Sequence, residues 1–121
     1  MWSLEVTLTT ADGPRAAAFW GEALGYRLRY RRDRYHVLGP PEGVDGPQAV
    51  VQEVPGYRPE PGAVHLDLRV DDPEDTVRRL VELGARVEGR VADEARAWTV
   101  LRDPDGNPFC VCPARPTADS P

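Results

Sequence analysis

The feature that most constrains the fold is that the chain contains its own pattern twice. The segment "LEVTLTTADGPRAAAFWGEALGYRL" (4–28) lies over "VHLDLRVDDPEDTVRRLVELGARV" (64–87). Leu4 meets Val64, Glu5 meets His65, Leu8 meets Leu68 and Asp12 meets Asp72, an offset of 60 residues. The offset has become 59 where Leu24-Gly25 meets Leu83-Gly84. Identity is low, but an alternating stretch, an aspartate, a helical stripe and a Leu-Gly stop recur in order. A repeat of this length means two copies of one supersecondary unit.

Each copy reads the same way. Residues 3–9 put Leu4, Val6 and Leu8 on one face and Glu5, Thr7 and Thr9 on the other; residues 64–70 set Val64, Leu66, Leu68 and Val70 against His65, Asp67 and Arg69. Period two predicts a strand with one apolar face. Asp12 and Asp72 fit helix N-caps, and Pro14 and Pro73 fit the first turn, where a missing N–H costs little. Ala16, Phe19, Trp20, Ala23 and Leu24 form the apolar stripe of the first helix, and Val77, Leu80, Val81 and Gly84 that of the second. Gly25 and Gly84 fit the left-handed residue that ends a helix.

Three more strands follow in each copy, near 26–31, 35–39 and 48–54, then near 86–91, 96–102 and 108–112. The expected fold is α+β: two tandem βαβββ modules forming a cupped mixed β-sheet with the helices outside. Module one covers about 3–54, a Pro/Gly-rich linker 55–62, and module two about 63–112, together one domain over 1–112. The segment "PARPTADSP" (113–121) is expected to be a disordered tail. The faces carrying Glu5, Thr7, His65 and Asp67 have no helix to cover them. Two half-sheets side by side would curl them into a shared cleft suited to a ligand.

A net charge of −5 without a basic tail argues against nucleic acid as the main partner. Five arginines crowd residues 27–34; they read as a solvated strand face or as an anion-steering patch. No apolar run approaches the ~20 residues of a membrane span. The start "MWSLEVTL" does not look like a signal peptide. Cys110 and Cys112, at i and i+2, make no disulfide framework, so a cytoplasmic protein with free thiols is expected.

Four stretches, "FWGEALGY" (19–26), "VHLDLRVDD" (64–72), "LVELGARV" (80–87) and "LRDPDGNPFCV" (101–111), together in a repeated βαβββ frame, resemble the vicinal oxygen chelate superfamily. That superfamily includes glyoxalase I, ring-cleaving dioxygenases, fosfomycin-resistance transferases and bleomycin-binding proteins. The resemblance covers roughly residues 3–112 and is closest to small glyoxalase-like proteins. It implies a homodimer, as relatives usually pair.

Metal-dependent relatives take one ligand, usually His or Glu, from the first and last strand of each half. Glu5 and His65 match the first-strand positions, each seven residues before its capping aspartate. Cys110 matches the last-strand position, four beyond Gly106. Gln52 is taken as its counterpart in module one, because Pro55 follows Gln52 as Pro113 follows Cys110. The resemblance thus implies Glu5, Gln52, His65 and Cys110 as the metal set, if a metal binds. Cys110 stands where a glutamate is usual, and this argues against glyoxalase I chemistry, which needs a hard or borderline ion with open positions. The set could bind zinc but suits magnesium or manganese poorly.

The readings of single residues stay open. Glu5 pairs with His65, contacts a ligand or ligates a metal, and is a candidate for proton transfer. Asp67, on the strand face of His65, is a candidate general base or a paired carboxylate. Cys110 is a small buried thiol, a metal ligand or a nucleophile. Gln52 and Trp98 are further ligand contacts, and Tyr30, Tyr35 and His36 are placed around the cleft. The leading expectation is a protein that binds a small organic molecule in the cleft with no cofactor, as a metal-independent enzyme or a resistance-type binder. The alternative is a divalent-metal-dependent lyase, dioxygenase or transferase using Glu5, Gln52 and His65. A third reading is a non-catalytic dimerisation module.

Overall fold

The computed structural model describes residues 5–59, 65–92 and 97–114. Leu4 and Val64, assigned above to the apolar strand faces, lie outside them, as do residues 115–121 of the expected tail. The chain divides into two units, Met1–Pro59 and Glu60–Pro121, and the boundary falls inside the expected linker. The first unit runs β1 (Glu5–Thr10), α1 (Gly13–Leu24), β2 (Arg27–Arg32), β3 (Tyr35–Gly39) and β4 (Gln48–Glu53). The second runs β5 (Leu66–Val70), α2 (Pro73–Glu82), β6 (Arg86–Ala92), β7 (Ala97–Arg102) and β8 (Pro108–Pro113). Both are βαβββ modules.

Each module carries its own four-stranded mixed sheet, ordered β1-β4-β3-β2 in the first and β5-β8-β7-β6 in the second. The first strand of each module pairs in parallel with its last, and the remaining pairs are antiparallel. The helix supplies the crossover that parallel pairing requires. Even the irregularities repeat: the outer hairpins carry register shifts at Leu28/Tyr30 and at Val87/Gly89.

The helix ends follow the local chemistry read from the sequence. Asp12 accepts a hydrogen bond from the Arg15 N–H at 3.1 Å, and Asp72 from the Asp75 N–H at 3.0 Å. These are N-caps that satisfy amides with no intrahelical partner. Gly25, at φ 68°, closes α1 in the left-handed region. The second helix caps on Leu83 in a right-handed conformation, and Gly84 follows at φ 118°.

The helix α1 packs on β3 and β4, and α2 packs on β8, β5 and β6. The first core holds Ala16, Phe19, Trp20, Leu38, Ala49 and Val51; the second holds Val77, Leu80, Leu101, Phe109 and Val111. Phe19 and Trp20 meet edge to face with centroids 5.1 Å apart, an arrangement aromatic quadrupoles favour. Val81, assigned to the buried stripe of α2, is instead 45% exposed: one residue past Leu80, it turns about 100° off the buried line.

The "DPDGN" turn before β8 is built around Asp103, which is 1% exposed. One of its carboxylate oxygens accepts from the N–H of Asp105 at 3.0 Å and of Asn107 at 2.8 Å; the other accepts from the Asn107 amide at 3.1 Å. Gly106 supplies φ 91°. Arg102 forms a fork with both Glu88 oxygens, at 2.9 and 3.0 Å, and reaches the Gly106 carbonyl. This hydrogen-bonded pairing holds the Glu88 carboxyl below its usual range. The strand β8 runs through Pro113, and the Ala114 N–H donates to the Val70 carbonyl. The ordered fold therefore continues past the boundary expected at residue 112. Among the described residues no helix is long and apolar enough to cross a membrane.

Candidate functional site

Alternation puts Leu66, Leu68 and Val70 toward α2, so Asp67 and Arg69 stand on the opposite, open face of the second sheet. The parallel register sets Asp67 beside Cys110 and Arg69 beside Cys112. Antiparallel pairing adds Val100 next to Cys110. His65, just before β5, folds its Nε2 to within 3.1 Å of Asp67 Oδ1. His65, Asp67, Trp98, Val100, Cys110 and Cys112 line a depression of about 480 Å³, within the range of small-molecule sites. One end is polar, from His65 and Asp67; the floor and the far end are apolar, from Val100, Cys112 and Trp98.

The thiol of Cys110 faces the Asp67 carboxylate across the ladder, with their ligand atoms within 4.8 Å. Burial, then the negative charge of Asp67, then Cys112, push that thiol up to about 11. A cysteine so placed is protonated at neutral pH and is a weak nucleophile. Both cysteines are free and buried. They share one strand face at two-residue spacing, near the long limit for a disulfide.

Ligand atoms of His65, Asp67 and Cys110 lie within 4.8 Å of one another. One nitrogen, one carboxylate oxygen and one sulfur match the donor types of zinc and mismatch the all-oxygen shell of magnesium. Bound there, an ion would supply Lewis acidity and would require Cys110 to surrender the proton that Asp67 now helps to retain.

The structure redistributes several residues named from the sequence. The partner of His65 within its own module is Asp67; Glu5 belongs to the other unit, exposed on the open face of the first sheet. Gln52 is not the counterpart of Cys110. Register places Val50 beside Thr7, as Cys110 stands beside Asp67, and Gln52 beside Thr9, as Cys112 stands beside Arg69. Glu5 aligns with Gln48, four positions from Gln52 along the strand, so the two backbones are ~13 Å apart along the ladder, poorly placed to share an ion. Tyr35 does lie on the open face, paired with Gln52. His36 does not: it pairs with Val51 and is buried on the helix side.

A family model described as a glyoxalase-like domain matches residues 5–112. No curated protein matches the chain. Among solved structures, TnmS3, an antibiotic binding protein from Streptomyces sp. CB03234, is 24% identical, covers 95% of this chain and 97% of its own, and has a TM-score of 0.68. A bleomycin resistance determinant encoded on the transposon Tn5 is 20% identical over 95% of this chain and 99% of its own, with a TM-score of 0.68. The trypanothione-dependent glyoxalase I of Leishmania major is 17% identical over 93% and 86%, with a TM-score of 0.71. At these identities the likeness is one of fold.

Proposed function

Because the chain belongs to the glyoxalase-like domain family, within the vicinal oxygen chelate superfamily, we propose that the open face of its second sheet binds a small, planar organic molecule directly, without a resident metal. The carrying observation is the built contrast across one depression: Trp98 and an apolar floor at one side, the His65–Asp67 pair at the other. Trp98 offers a face for stacking, and Asp67 offers carboxylate lone pairs to a donor, so a planar aromatic amine fits best. An antibiotic binding protein and a bleomycin resistance determinant among the similar folds support a resistance-type binder. In this reading the protein is a cytoplasmic homodimer.

The chemistry of Cys110 supports binding over covalent catalysis. Burial and the negative charge of Asp67 hold its proton and push the thiol up to about 11, so little thiolate is present at neutral pH. A titration of proflavine followed by tryptophan fluorescence tests the reading. Saturable quenching that disappears in Trp98→Ala, with the fold intact by circular dichroism, supports it; quenching unchanged in that variant contradicts it.

The grouping of His65, Asp67 and Cys110 favours one second reading. Loaded with zinc, these residues would serve a metal-dependent lyase, dioxygenase or transferase. Stoichiometric zinc in protein purified without chelators, lost in Cys110→Ser, would select it.

A further inference from the structure

His36 has no part in the depression above, yet its burial is unusual. It is 6% exposed, and its Nδ1 is sealed with no hydrogen-bond partner. That edge of the ring packs against Gly13 at the start of α1, beside the Glu53 carboxylate that accepts from the Gly13 N–H at 2.7 Å. A Cβ added to Gly13 would stand 2.9 Å from His36 Cε1, 3.1 Å from Glu53 Oε1 and 3.2 Å from Nδ1. The ring also lines a groove of about 440 Å³ between α1 and the β2–β3 hairpin, wholly within the first module. The imidazole is thus a polar ring set in the wall of the groove, with an N–H of the kind that donates to a carboxylate.

Arg31 stands directly across the β2–β3 ladder from His36, on the same face, and lines the same groove. Cross-strand neighbours have Cβ atoms ~5 Å apart, so a guanidinium and an imidazole stand next to each other on the groove wall. Ala17 and Ala18 of α1 and Leu28 and Leu38 of the hairpin add apolar lining. Glu22 stands on the lining too, and its charge disfavours a dianion.

We propose that this groove is a second binding site, for a monocarboxylate carried on a small apolar or aromatic body. The carboxylate meets Arg31 and His36, and the body lies on the alanines of α1. Arg31 supplies the charge-assisted contact that separates a carboxylate from its neutral analogue. The site is independent of the depression on the second sheet.

The test is a titration with phenylacetate and, separately, phenylacetamide, followed by amide NMR of the full chain. Phenylacetate should give saturable shifts at Ala17, Ala18, Arg31 and His36, with phenylacetamide about tenfold weaker. Arg31→Gln, a substitution on an exposed strand, should bring phenylacetate down to the level of the amide, while Arg69→Gln should bind as the parent does. His36→Gln should also weaken binding. Equal affinity for acid and amide, unchanged binding in Arg31→Gln, no saturable shifts, or shifts confined to residues 97–112 would each overturn the proposal.

Discussion

Asp67 and Cys110 sit side by side in the parallel β5–β8 ladder, and the negative charge of the carboxylate helps hold the proton on the thiol. Burial and that charge keep the thiol protonated well past neutral pH. Asp67 also faces His65 at 3.1 Å, so one carboxylate organises the polar end of the depression.

Asp67→Asn should lower the pKa of Cys110 from about 11, because it removes the second-largest cause of the shift. Burial remains, so the value should stay above that of a free thiol. The rate of iodoacetamide alkylation against pH, in a Cys112→Ser background, reads this directly. An unchanged profile would remove Asp67 from the account.

The same shift carries a sign for stability. The folded thiol titrates above its ordinary value of 9.0, at about 11. Its contribution is therefore fully present below pH 9 and is lost as pH rises through 11. Urea midpoints measured from pH 8 to 11 should fall more steeply in the parent than in Cys110→Ala. Parallel curves would show that the thiol is not perturbed.

Asp103→Ala should destabilise the protein by ~2–3 kcal/mol, because it leaves the N–H groups of Asp105 and Asn107 without their buried acceptor. Equilibrium urea unfolding checks this. A loss within the noise of a surface substitution would mean that water replaces the carboxylate.

Gly13→Ala should cost about 1–2 kcal/mol through overpacking, although alanine is otherwise the better helix former. The causes are His36 Cε1, 2.9 Å, and Glu53 Oε1, 3.1 Å, from where the new methyl would sit. In a His36→Ala background the penalty should shrink, leaving the part due to Glu53. A penalty of the same size there would remove His36 from the account.

What the sequence made legible was local. Asp12 and Asp72 cap because an aspartate before a helical stripe has one favourable use. The modules were visible because the repeat keeps its alternation. Cross-strand facts were not legible. Pro55 and Pro113 seemed equivalent landmarks, but β4 ends at Glu53 while β8 carries Pro113 as its last residue. That two-residue difference moved the counterpart of Cys110 from Val50 to Gln52. Asp67 and Cys110 were each placed on the right strand, but only the ladder reveals them as neighbours. The face of His36 was hidden for another reason: His36, Val37, Leu38 and Gly39 are all buried, so β3 shows no alternation to read.

The central claim is that the open face of the second sheet holds a planar amine with no metal. Calorimetric titration of the parent, Trp98→Ala and Asp67→Asn with a panel of planar polycyclic amines, in excess chelator, tests it most directly. The account predicts saturable binding by the parent, unaffected by the chelator, and weakened about tenfold or more in each variant. Binding that appears only after zinc is restored, or that is equal in all three proteins, would contradict it.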